Sequence, residues 1–136
     1  MKVLILDGYV DEPACLGVPP FLSPYPRYLA GALITYGIEP YYATIDQFRR
    51  YVQNKRIGTN FQNMQTQMAQ NKQEVHEYFN NVDILFVLSG VSVPGKYIGG
   101  HPINLNELKM LPEIFPNTIR ILFGPATEFG IGIEGG

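Results

Sequence analysis

Three short stretches of the chain are dominated by apolar residues: residues 2–7, 83–89 and 118–123. Runs of that length, rich in Val, Ile, Leu and Phe, read as strands buried on both faces of a sheet. A fourth stretch, residues 39–44, is mixed, and Pro40 suits the start of a strand or an edge position.

Between these runs the period turns helical. Leu29, Leu33 and Tyr36 recur on one face, and Ala32 allows close approach. Ser23 as cap, Pro24 in the first turn and Gly37 as stop predict a helix over about 24–36. Thr44 and Asp46 open a second helix, predicted to end near Gln53, with Ile57-Gly58 as its break. Thr59 and Gln62 have capping-box spacing. Phe61, Met64, Met68, Val75, Tyr78 and Val82 then follow steps of three and four, with Asn71 as a polar break, which predicts a polar helix over 61–80. Asn104 with Glu107 caps a last helix from Leu105 to about Phe115, perturbed by Pro112.

Strands alternating with helices imply an α/β fold with a doubly wound parallel sheet, flavodoxin-like or Rossmann-like. At least four strands are expected, in the order 2-1-3-4. Residues 1–136 form one domain. No closing helix follows the fourth strand, so the expectation is a domain truncated at its C-terminus, a fragment of a longer multidomain protein.

Composition narrows the classes. A chain of 136 residues buries about two-thirds of its unfolded surface and needs no staples. Net charge is −2, and Arg49-Arg50 is the densest basic cluster, which argues against nucleic acid and against an electrostatic membrane surface. No apolar run reaches the length of a membrane span, and residues 2–7 look like a strand rather than a signal peptide. The single cysteine, Cys15, excludes an internal disulfide. A cytoplasmic location is expected.

In open α/β sheets ligands bind beyond the carboxyl ends of the strands. Three loops meet there: Asp7-Gly8-Tyr9, Ser89-Gly90-Val91 and Gly124-Pro125-Ala126-Thr127. Glycine beside each strand end lets backbone approach a ligand, and Ser89 and Thr127 can exchange hydrogen bonds with it. The loops over 8–22 and 90–102 are far longer than the roughly 2–6 residues such connections need. Asp7 binds a ligand, caps the next helix or merely leaves the sheet. Asp11 and Glu12 hold Mg²⁺ or form a solvated loop. Cys15 reads as a small buried group, His76 as solvent-facing, and His101 as the histidine placed nearest a ligand. No nucleophile–base–acid set can be assembled, and neither a catalytic residue nor a metal site is expected. Gly130, Gly132 and Gly135 spell the dinucleotide pattern, but after the wrong strand and with no helix following.

The run from Asp11 to Gly31, with its Ser-Pro-x-x-x-x-Leu-Ala-Gly portion, resembles the N-terminal region of archaeal-type radical S-adenosylmethionine proteins, which carry a cobalamin-binding-like domain ahead of the catalytic barrel. The cobalamin domains of the methionine-synthase type carry Asp-x-His-x-x-Gly after strand one, Ser-x-Leu after strand three and Gly-Gly after strand four. Here Asp7-Gly8-Tyr9 puts Tyr where the cobalt-ligating His stands, and Glu12 replaces the Gly. Ser89-Gly90-Val91 is a near match and Gly124-Pro125 half of one. The resemblance implies a cofactor cleft lined by Asp7, Gly8, Tyr9, Ser89, Gly90, Val91, Gly124, Pro125 and Thr127, with cobalamin held without a protein histidine. The family's Cys-x-x-x-Cys-x-x-Cys motif is absent, so the iron-sulfur cluster and S-adenosylmethionine are expected only in a C-terminal catalytic barrel of the same polypeptide. The rivals are a small enzyme using Asp7, Cys15 or His101, a stand-alone small-molecule-binding domain, and an interaction domain that pairs as a homodimer through residues 60–81.

Overall fold

A computed structural model describes residues 1–8, 24–57, 77–89, 102–124 and 127. The elements run β1 (Val3–Asp7), α1 (Tyr25–Thr35), β2 (Tyr41–Thr44), α2 (Ile45–Ile57), β3 (Ile84–Leu88), α3 (Leu105–Ile114) and β4 (Ile119–Phe123). The four strands form one sheet in the order β2-β1-β3-β4, and every pair is parallel. The chain is an α/β domain of the expected order.

Register follows from burial. Leu4 pairs with Tyr41 and Leu85, and Leu6 with Ala43 and Val87. These side chains share one face, where Leu4, Leu6, Ala43, Leu85 and Val87 join Phe48 and Tyr51 of α2, Leu111 of α3, and Phe79, Val82, Ile103 and Phe115 in one core. Burying such side chains contributes about 1.5–3 kcal/mol each. The alternate residues Val3 and Ile5 are also buried, on the opposite face, where α1 packs on β1.

Several expectations are corrected. The N-cap of α1 falls on Pro24, whose ring has no polar atom to cap with, and a second proline, Pro26, occupies the first turn. Tyr36 is 84% exposed and takes no part in the α1 stripe, because it lies past the last helical turn as the C-cap. Gly37 does end the helix: at φ +75° its N–H donates to Ile34 O while Ile38 N–H donates to Leu33 O. The fourth strand is not buried: four of its five residues are exposed, because the sheet order ends there. Ile84 and Phe86 of β3 are only half-buried, on the α1 face.

Helix α2 runs to Ile57, beyond the expected end at Gln53. The stripe positions Phe61, Met64, Met68 and Val75 lie outside the described residues. Tyr78 and Val82 pack into or against the core.

Candidate functional site

Past the last paired row, Asp7–Leu88–Phe123, the chain places Gly8, Ser89 and Gly124 side by side. Gly8 N–H donates to Leu88 O at 3.0 Å, and Ser89 N–H donates to Phe123 O at 2.9 Å. The row therefore extends the ladder and shares its rigidity.

Two capping boxes stand at this end. Asn104 Oδ1 accepts from Glu107 N–H while Glu107 Oε2 accepts from Asn104 N–H, both at 2.9 Å. Thr44 and Gln47 make the same reciprocal pair at the start of α2. Arg49 reaches from α2 to both carboxylate oxygens of Glu107, at 2.7 and 3.2 Å, and to Pro102 O at 3.2 Å. Ile103, next to that clamp, donates its N–H to Gly8 O at 2.6 Å. With their first-turn donors engaged by side chains, α2 and α3 offer a weakened anchor for an anion.

Ser89 is fully buried, and among the described residues its hydroxyl has no hydrogen-bond partner. A buried hydroxyl left unpaired costs about 1–3 kcal/mol, so this group stands out from a core that is otherwise apolar at this level. By strand alternation it shares a face with Leu85 and Val87. Gly124 sits beside it at φ +103°, a backbone that L side chains rarely adopt, and a Cβ there would lie 2.5 Å from Leu88 Cδ1 and 2.8 Å from Ser89 O. Thr127 donates both its N–H (3.1 Å) and its hydroxyl (2.6 Å) to Gly124 O.

Asp7 projects to the other face. It is 1% exposed, and its Oδ2 accepts from the hydroxyl of Tyr42 at 2.8 Å. Burial, then the hydrogen bond to Asp7 and its negative charge, push the Tyr42 phenol well above its ordinary range, and Arg27 of α1 pulls it partly back. Asp7 thus fastens β1 to β2 beneath α1. Sequence reasoning missed Tyr42. The signal was available, since Thr44 lies opposite Asp7 and Tyr42 is two residues back on the same face.

A pH profile tests this pair. The unfolded phenol releases its proton near 10.0 and the folded one higher, so stability is present below pH 10 and falls as pH rises above it. Tyr42→Phe is expected to remove that part of the alkaline loss, and to lower stability at pH 7 by about 1 kcal/mol. Tyr42 is 45% exposed, so solvent screening keeps the effect small. Chemical denaturation of both proteins from pH 7 to 11 reads it; identical slopes would remove the Asp7 contact from the account.

Of the expected site residues, the structure brings together Gly8, Ser89 and Gly124, adds Thr127 through Gly124, and turns Asp7 away. Tyr9, Gly90, Val91 and Pro125 lie outside the described residues, as do Asp11, Glu12, Cys15, His76 and His101. Among the described residues no group of three His, Cys, Asp or Glu side chains could hold a metal ion. Among the same residues no helix is long and apolar enough to cross a membrane.

No family profile matches the chain, and no solved structure does. It is 38% identical over 127 residues to an uncharacterised protein of Archaeoglobus fulgidus, covering 93% of this chain and 20% of that protein. It is 37% identical over 136 residues to an uncharacterised protein of Methanocaldococcus jannaschii, covering 99% and 21%. The chain spans about a fifth of the length of these curated relatives.

Proposed function

We propose that the chain is a ligand-binding accessory domain of the cobalamin-binding kind, serving a radical S-adenosylmethionine enzyme in the cytoplasm. The observation that carries the reading is the buried hydroxyl of Ser89, without a partner among the described residues and set between Gly8 and Gly124 beyond the carboxyl ends of the strands. A ligand polar group there would satisfy it.

The fit to a corrinoid rests on Ser89, which stands where the resembled domains carry their serine after strand three. When bound, cobalamin supplies a cobalt centre for group transfer. This chain would hold the cofactor through Ser89 and through backbone beside Gly8 and Gly124. Asp7 is engaged with Tyr42 and is a strand fastener rather than a ligand. Tyr9 replaces the histidine, so that position gives cobalt no imidazole. The length of the relatives supports a larger protein around this domain, in which a C-terminal barrel would hold the iron-sulfur cluster and S-adenosylmethionine.

The test is a titration of the full polypeptide with hydroxocobalamin, followed by absorbance. Binding is expected, and Ser89→Ala is expected to weaken it about tenfold, the worth of one buried hydrogen bond. In the absence of ligand the same substitution leaves stability unchanged or raises it by about 1 kcal/mol, because it deletes an unsatisfied group. A spectrum indifferent to the protein would sink the cofactor assignment.

A second reading is a stand-alone small-molecule-binding or protein-interaction domain. The exposed Tyr25, Tyr28, Ile34 and Tyr36 on and beside α1 favour the interaction form. The homodimer through residues 60–81 falls mostly outside the described residues.

A further inference from the structure

Gly8 is held at the strand ends from two sides. Its N–H donates to Leu88 O at 3.0 Å, and its carbonyl accepts from Ile103 N–H at 2.6 Å. The Ile103 side chain also fills the space that a Cβ on Gly8 would need: such an atom would lie 2.9 Å from Ile103 Cβ. Ile103 is buried, so the contact is enclosed. The place of Gly8 beside Ser89 therefore depends on where Ile103 stands. Ile103 belongs to no strand or helix. It follows Pro102, which has no N–H to give, and precedes the N-cap Asn104. What fixes it is Arg49. The guanidinium donates to Pro102 O from Nη2 at 3.2 Å, and it forks onto Glu107, with Nε to Oε1 at 2.7 Å and Nη2 to Oε2 at 3.2 Å. Glu107 in turn closes the capping box on Asn104. Arg49 thus grips the chain on both sides of Ile103. Asp46 Oδ1, one turn earlier on α2, lies 3.5 Å from Nη1 and helps to aim the guanidinium. The neighbouring Phe48 is locked in the core, so the grip is anchored in the rigid part of the fold.

We propose that Arg49 is a positioning residue of the strand-end site. By fixing Pro102 and the start of α3 it keeps Ile103 on Gly8, and so keeps Gly8 in the row with Ser89 and Gly124 where a ligand would bind. Arg49 acts through Ile103, by geometry. A planar fork can meet a carboxylate and a carbonyl at once, which a point charge on a flexible stem cannot do as well. The ligand part rests on the function proposed above; the placement of Gly8 does not.

The experiment is amide hydrogen exchange of the complete polypeptide without ligand, read residue by residue by mass spectrometry with electron-transfer fragmentation. In Arg49→Gln the Ile103 and Gly8 amides are expected to exchange about tenfold faster, as for a local opening, while Leu6 and Val87 keep the rates of the parent chain. Arg49→Lys, which keeps the charge and loses the fork, is expected to give the same pattern at about threefold. Val82→Ala, a core truncation at the amino end of the sheet, is the control for lost stability, and its effect should not single out Ile103 and Gly8. Unchanged exchange at Ile103 in Arg49→Gln overturns the proposal. So does a rise shared evenly with Leu6 and Val87, which would make Arg49 a general prop of the fold. Hydroxocobalamin is the probe for the ligand part. If it binds the parent chain, Arg49→Gln is expected to weaken it about tenfold, and an unchanged affinity overturns the positioning role. If it does not bind the parent chain, the proposed function fails, and the exchange pattern by itself still decides whether Arg49 positions Gly8.

Discussion

Gly8→Ala is expected to destabilise the fold by about 2–3 kcal/mol, at the upper end of what overpacking costs. An added Cβ would lie 2.9 Å from Ile103 Cβ and nearer still to Ile103 Cγ2 and to the carbonyl oxygen of Leu88. Neither neighbour can give way cheaply. Leu88 O already accepts from Gly8 N–H, and Ile103 is 1% exposed and tied by its own N–H to Gly8 O. The chain must therefore open the β1–β3 ladder or displace the start of α3. Gly31→Ala is the opposite case. That glycine lies within α1 with nothing within 4 Å of an added Cβ, and alanine there should add about 0.5–1 kcal/mol. Urea denaturation of both variants reads the contrast. Equal midpoints would mean that Gly8 is not packed as described.

Phe48→Ala should cost more, about 3–5 kcal/mol. Phe48 is 1% exposed, and its ring lies 5.9 Å from that of Phe79 and 6.3 Å from that of Phe115. It therefore binds α2 to the segment before β3 and to the end of α3. The cavity left by truncation would be walled by strands on one side and cannot collapse fully. Tyr28→Ala, at a position 75% exposed, should change stability by less than about 0.5 kcal/mol. A thermal midpoint for Phe48→Ala close to that of the parent chain would contradict the core assigned here.

The strand order was legible because three of the strands are short apolar runs and the segments between strands switch to helical spacing. The capping box at Asn104-Glu107 reciprocates as its spacing implies; the one at Thr44-Gln47 went unread, and Thr59 and Gln62 lie outside the described residues. The bareness of β4 was not legible: Ile-Arg-Ile-Leu-Phe states what a strand would bury, not what its neighbours supply. The same limit hid the two roles at the site. Ser89 and Asp7 both read as polar residues at strand ends. The hydroxyl lacks a partner among the described residues and the carboxylate has Tyr42, and that difference depends on which face each side chain takes and what stands across from it.

The position of β1 in the middle of the sheet has a kinetic consequence. Its first residues leave the ribosome before any partner exists, yet Val3 pairs with Ile84. At about 5–20 residues per second of synthesis, several seconds separate the two. During that interval the most completely buried strand of the sheet has β2 at best on one side and no neighbour on the other. High contact order of this kind slows folding. The nascent chain should therefore depend on chaperone holding until β3 emerges, and its folding yield in a cell-free system should rise when such holding is supplied.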